Sequence, residues 1–241
     1  MQIGEALPFL IWQLTGYKTV GGASVNFSLL STNLTCKFMP NLYIIGGANG
    51  SGKTTASMSL LPNFLDCLEY VNADAIAAAL SPFNQQSVAI TAGRIRLERL
   101  QILSNSETDF AFETTLAARS FAAFVRSCKT KDYTINLIYF WVRSPELAVA
   151  RVARRVASGG HSIPEDVIRR RYDRGLGNLI ALYLPLCDNW IIYDNSHETA
   201  QLVAEGMIDQ EQIIYNLESW NQINQRSNEH IKTQTTFIYK D

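Results

Sequence analysis

The rhythm of apolar and polar positions changes at residue 39. Residues 1–38 are rich in Gly, Ser, Thr and Asn, carry three charges and show no sustained period. From Met39 onward, short apolar runs alternate with stretches of helical spacing. Leu42-Tyr43-Ile44-Ile45 is a buried-strand pattern over 41–46 that ends in Gly46-Gly47. A helix is expected over 52–61, stopped by Pro62, then a strand over 70–73 that ends at Asp74. Helical spacing returns over 86–103, strand character over 109–113 and a helix over 119–129. The run 133–142 is the strongest β-segment, crowded with β-branched and aromatic residues. Pro145 opens a helix at its first position, Gly159-Gly160 breaks it, and Pro164 starts the next. A last core strand over 190–193 is expected to lead into two amphipathic helices reaching about 224. The alternation predicts an α/β domain over 39–225, with a mostly parallel sheet and helices on both faces. Residues 1–38 read as a poorly structured extension, with Met39 as the natural start, and 226–241 as a polar tail.

Composition narrows the class. The chain has 241 residues, 47% hydrophobic and 18% charged, with a formal net charge of -1, which suits one well-buried α/β domain and argues against a nucleic-acid coat. Four scattered cysteines with no CxxC pair, and only three His, offer neither metal-cluster spacing nor a disulfide framework. No apolar run is long enough to span a bilayer, and no basic segment precedes residues 7–12 as an export signal would require, so a cytoplasmic location is expected. The charge is uneven, however. Residues 143–174 hold eight Arg, no Lys and four acids, a local +4 against -5 elsewhere. A cationic zone on a near-neutral chain points to a small anionic ligand.

That ligand is named by Gly47-Ala48-Asn49-Gly50-Ser51-Gly52-Lys53-Thr54, followed by Thr55. The spacing is G-x-x-x-x-G-K-[ST], and it sits between an apolar strand and a helix, as the mechanism requires. The glycines let consecutive N–H groups converge on phosphate oxygens at the positive end of the helix. Lys53 would reach the β- and γ-phosphates, and the Thr54 hydroxyl would ligate Mg²⁺. A P-loop NTPase fold that binds ATP with Mg²⁺ is therefore expected.

A P-loop specifies the ligand, not the reaction. Acids at the carboxyl ends of the strands are the candidates for that: Asp74, Glu113 and, ranked lower, Asp194. The structural alternatives are an N-cap on a helix over 75–80 for Asp74 and an ion pair with a nearby Arg for Glu113. In the cationic zone, helix 146–157 places Val149, Val152 and Val156 on one stripe, with Arg151, Arg154 and Arg155 opposite. A second helix carries Arg169, Arg170, Arg171 and Arg174. Two such helices about a glycine hinge read as an Arg-rich lid over a triphosphate.

With these residues in place the chain resembles the zeta-toxin family of P-loop kinases over about 39–224. The resemblance rests on 40–55, on Asn72-Ala73-Asp74, on Phe112-Glu113-Thr114-Thr115-Leu116 and on 151–172. The last block contains Gly159-Gly160-His161-Ser162-Ile163-Pro164. It implies ATP-dependent phosphorylation of a sugar hydroxyl, with UDP-N-acetylglucosamine as the acceptor of the better-studied members. It also implies Asp74 as catalytic base, Lys53 as the P-loop lysine and Glu113, with Thr114 and Thr115, on the substrate side. Arg155 and Arg171 are the chosen matches to the two phosphate-binding arginines. An antitoxin protein is the partner the resemblance brings with it, although no residue here signals one. The family's Arg and His-Pro after the catalytic Asp are absent: Asp74-Ala75-Ile76-Ala77 leads to Leu80-Ser81-Pro82, which leaves the acceptor open. Two rivals share the cradle. One is a nucleotide or polynucleotide kinase, for which 75–101 supplies only Phe83 as an aromatic. The other is a partner-activated P-loop ATPase.

Overall fold

A computed structural model of the chain describes residues 39–238; the expectations placed on residues 1–38 lie outside them. The centre of the sheet is β1 (Asn41–Gly47), flanked by β3 (Phe110–Thr114) and β4 (Thr134–Trp141), both parallel to it. With β2 (Glu69–Val71), β5 (Asn189–Asp194), β6 (Gln201–Met207) and β7 (Ile213–Ile214), the order is β2-β3-β1-β4-β5-β6-β7. The first five strands run parallel, and β6 and β7 close the far edge antiparallel.

The unbroken apolar run of β1 exists because both of its faces are covered. Leu42 and Ile44 enter one core cluster, and Tyr43 and Ile45 enter the other. One face is packed by α1 (Lys53–Phe64) through Ala56, Leu60 and Leu61. The other carries α3 (Ala89–Ser104), α4 (Ser120–Lys129), α5 (Pro145–Ala157), α6 (Glu165–Asn178) and α7 (Leu217–Ile238). Between β2 and α3 lies the short α2 (Ala73–Leu80). The expected α/β architecture is therefore the one observed.

Several local expectations are corrected. Pro62 does not stop α1, which runs on to Phe64. The ring falls in the last turn, where Leu65 N and Cys67 N still reach the carbonyls of Leu60 and Leu61. Strand β2 ends at Val71, and Asn72 starts α2. After β5 come β6 and β7 instead of a first helix. The helix-favouring residues of 201–207 are overridden by pairing with the open edge of β5. Gly206 permits this pairing, since a Cβ there would lie 2.4 Å from the Trp190 ring. Helix α7 then continues through Arg226 into the stretch expected as tail, docked on α6 by an Arg226–Asp173 pair at 3.0 Å.

The two Arg-bearing helices are anchored. Ala148 and Val152 of α5, and Ile168 and Tyr172 of α6, are buried in the core, and the Tyr172 hydroxyl donates to the Val142 carbonyl at 2.5 Å. Ser144 caps α5 at Leu147 N, and Pro145 occupies its first turn as expected.

Candidate active site at the carboxyl ends of the parallel strands

The loop after β1 takes its shape from three glycines with positive φ: Gly47 at 142°, Gly50 at 79° and Gly52 at 87°. Space as well as φ demands glycine at the first two. A Cβ on Gly47 would stand 2.3 Å from the Phe140 carbonyl oxygen, and one on Gly50 2.7 Å from that of Ala148. Gly52 precedes α1, and no side chain caps that helix. Its first N–H groups are thus left for an anion. Lys53 is buried and donates from Nζ to the Ala48 carbonyl at 2.7 Å. Burial holds its ammonium below the usual lysine range, opposed by the charges of Glu113 and Asp74.

The loop is braced from β5. Asn195 Nδ2 donates to the Ser51 carbonyl at 2.7 Å, and Arg151 donates to the carbonyls of Asn195 (2.6 Å) and Ser196 (3.1 Å). Asp194, the third acid singled out in the sequence, accepts from Ser196 N at 2.8 Å and from the Ser219 hydroxyl at 3.5 Å. It is a buried brace for this turn.

Glu113, at the end of β3, lies where four residues converge. Its Oε2 accepts from Thr54 Oγ1 (2.7 Å), Tyr70 Oη (2.6 Å) and Asn72 Nδ2 (3.0 Å), while Oε1 lies 3.7 Å from Lys53 Nζ. The Arg pairing weighed as the structural alternative is not what holds it. A hydroxyl and a carboxylate oxygen in contact are hard donors of the kind Mg²⁺ takes when phosphates and water complete its shell. Among the described residues no cluster of three or more His, Cys, Asp or Glu is poised for a metal, so any Mg²⁺ here would need the nucleotide's oxygens. Thr54 and Glu113 fit that role.

Asp74 lies in the first turn of α2. The N-cap is Asn72, whose Oδ1 accepts from Asp74 N (2.8 Å) and Ala75 N (3.1 Å). The capping duty weighed for Asp74 is thereby performed by its neighbour. The Asp74 side chain is exposed, and among the described residues no hydrogen bond or ion pair occupies it.

Two cavities meet at this point. One, of about 550 Å³, opens over the P-loop and is lined by Thr54, Thr55, Arg151, Arg155 and His161 among others. The second, of about 240 Å³, is lined by Arg96, Thr114, Thr115, Phe121 and Arg171. Asn49, Lys53, Asn72, Asp74 and Glu113 belong to both. The arginines chosen from sequence fall on opposite sides of this wall. Arg155 faces the larger cavity, with Nη2 on the His161 carbonyl at 2.9 Å, and Arg171 faces the smaller. Others of the eight are surface ion pairs: Arg169 bridges Glu146 (2.5 Å) and Glu165 (2.8 Å), and Arg170 lies 3.9 Å from Asp166.

The wall of the smaller cavity is held from behind. Leu116 adopts φ 57°, rare for a non-glycine residue, with its N–H on Thr114 Oγ1 at 3.1 Å. Asn178 donates to the Leu116 carbonyl at 2.8 Å, and Tyr183 to that of Ala118 at 2.6 Å. Asn178 ends α6, and Tyr183 ends the π-helical turn Leu179–Tyr183.

The sequence does not single out Arg96, Tyr70 or Asn195, and it names Asn72 only within Asn72-Ala73-Asp74, without a role of its own. Arg96 Nη2 donates to the Glu113 carbonyl at 2.8 Å, and its guanidinium lies 4.2 Å from the centre of the Phe121 ring. Burial pulls it down to about 10, against the raising effect of Glu113 and Asp74. In sequence it is one of three arginines on α3, with Arg94 and Arg99, and nothing in the spacing separates it from them. Asn72 had a readable signal: Asn before a helix, with its side chain free to cap.

Residues 30–202 match the family described as Zeta toxin. An uncharacterized protein of Haemophilus influenzae is 33% identical over 128 residues, which is 52% of this chain and 88% of that protein. The fold is similar to that of AvrRxo1-ORF1:-ORF2 crystallised with ATP, with a TM-score of 0.62 and 14% identity over 78% of this chain. This chain spans 64% of the length of that one. A structure from the PezAT toxin-antitoxin system of Streptococcus pneumoniae has a TM-score of 0.52 and 16% identity, covering 80% of this chain and 87% of that one. With the family match running from before the P-loop through the Arg-bearing helices to β6, this chain belongs to the zeta toxin family.

Proposed function

We propose that the protein is an ATP-dependent kinase that moves the γ-phosphoryl group to a hydroxyl of a small molecule, and that Asp74 is the base that receives the hydroxyl proton. The observation that carries this reading is the shared wall. Lys53 and Asp74 border both the cavity over the P-loop and the smaller cavity behind it. ATP seated on the P-loop would place its γ-phosphate beside Lys53, and an acceptor in the smaller cavity would meet that phosphate at Asp74. The exposed carboxylate of Asp74 is free of protein partners among the described residues, as a base awaiting a substrate proton should be.

The remaining roles follow from position. Lys53 and Arg155 stabilise charge on the phosphates from the nucleotide side, and Arg171 does so from the acceptor side. Thr54 and Glu113 would hold Mg²⁺, which when bound neutralises phosphate charge. Thr114 and Thr115 offer polar groups to the acceptor. Phosphoryl transfer needs little covalent help from the protein, so positioning and charge supply most of the rate.

For the acceptor, the family favours a sugar nucleotide such as UDP-N-acetylglucosamine, and membership favours an antitoxin as protein partner. Incubating the purified protein with UDP-N-acetylglucosamine, ATP and Mg²⁺, followed by mass spectrometry, tests the acceptor. A gain of one phosphate that requires Asp74 supports the sugar-nucleotide assignment. No gain, in protein shown to bind ATP, leaves the kinase reading and removes that acceptor.

A further inference from the structure

Among the described residues Arg96 is set apart from the other arginines by a buried guanidine nitrogen that nothing satisfies. It is sunk into the wall of the smaller cavity with its Nε buried and without a hydrogen-bond partner. Among the described residues no carboxylate lies within ion-pair distance of it. Arg99, three residues on, pairs with Glu69 at 2.6 Å, and Arg169 and Arg226 likewise have carboxylates. Those three stand nearer to water and need a partner less. A half-buried guanidinium with no carboxylate in contact is costly, and the Glu113 carbonyl at 2.8 Å, the Phe121 ring at 4.2 Å and the more distant charges of Glu113 and Asp74 compensate only in part. The missing component is an anion, and the cavity is where it can enter.

The cavity also limits what that anion belongs to. About 240 Å³ is roughly the share of eight liquid waters at about 30 Å³ each. It admits one end of a molecule, a few carbon atoms with their substituents. Asp74 stands at the boundary with the P-loop cavity, and Arg171 supplies a second guanidinium to the same space. The reacting hydroxyl and the anion must therefore lie within a few bonds of each other.

We propose that Arg96 is a specificity-determining residue, and that it selects acceptors whose reacting hydroxyl lies close to a phosphate or carboxylate group. The planar fork donates to two oxygens of such a group, and Phe121 fixes its plane. A sugar carrying a phosphate on its ring, or a small hydroxy acid, has this chemistry; a neutral polyol does not. The inference rests on the kinase reading above, because it takes the smaller cavity as the acceptor side.

The test separates the two. The protein is saturated with Mg²⁺ and AMP-PNP, which fills the P-loop, and inorganic phosphate is then titrated calorimetrically, with acetate in a parallel arm. Wild type should bind one further phosphate or acetate, and the tighter of the two names the acceptor's anion. Arg96→Gln should weaken that second event at least tenfold while leaving AMP-PNP affinity unchanged. Phe121→Leu, which keeps an apolar side chain and removes the ring beneath the guanidinium, should weaken it severalfold. No second anion, or equal binding in Arg96→Gln, would overturn the proposal and leave the kinase reading standing. Failure of AMP-PNP itself to bind the wild type would remove both.

Discussion

Asp74 and Glu113 lie on the same wall in different surroundings. Glu113 is bound on three sides by Thr54, Tyr70 and Asn72, with Lys53 on the fourth. A carboxylate so engaged organises a site; one left open, as Asp74 is, can take a proton. Asp74→Asn should therefore keep ATP affinity and lower phosphoryl transfer by about 10²- to 10⁴-fold, read by titration and turnover on the same sample. Unchanged turnover would move the base elsewhere. Glu113→Gln should instead raise the Mg²⁺ concentration needed for half-maximal turnover about tenfold, as loss of a group supporting the metal does. An unchanged Mg²⁺ requirement would make Glu113 purely structural. The P-loop was legible because its chemistry is a local string of residues. Arg96 was not, because its meaning comes from Phe121 and the Glu113 carbonyl, 25 and 17 positions away.

Elements were legible to the extent that local pattern decided them. β1 and β4 are covered on both faces, and their unbroken apolar runs announce it. β6 is decided by the open edge of β5 instead, a pairing that the helix-favouring residues of 201–207 give no hint of. That edge matters to the site, because the turn that follows β5 supplies Asn195. Asn195→Ala leaves the buried Ser51 carbonyl without its donor and should cost about 1–2 kcal/mol of stability. ATP affinity should fall with it as the P-loop loosens. Equal melting temperatures and equal affinities would show that the loop holds its shape unaided. At Gly175, α6 approaches β3's end so closely that a Cβ would stand 2.4 Å from the Thr115 carbonyl oxygen. Gly175→Ala should cost about 1–3 kcal/mol by overpacking. By contrast Arg169→Ala breaks only exposed pairs, and thermal denaturation should find no change.

At the scale of the whole molecule, the parallel strands deliver their carboxyl ends to one side. β1 brings the P-loop, β2 brings Asn72 and Asp74, β3 brings Glu113 to Thr115, and β5 brings the brace at Asn195. The α5–α6 pair lays Arg155 and Arg171 over the same side from a packed base. Among the described residues no helix is long and apolar enough to cross a membrane. An ATPase that drives a partner needs only the P-loop cavity. The second cavity, sharing Asp74 and Lys53 with the first, is what a transferase requires. The fate of the γ-phosphoryl group decides between them. ATP labelled at the γ-position, Mg²⁺ and the purified protein are incubated with a protein-free bacterial metabolite extract, beside the Asp74→Asn variant. Label appearing in an organic phosphoester with wild type, and absent with the variant, is the result this account predicts. Label released only as inorganic phosphate, at the same rate in both proteins, would contradict it.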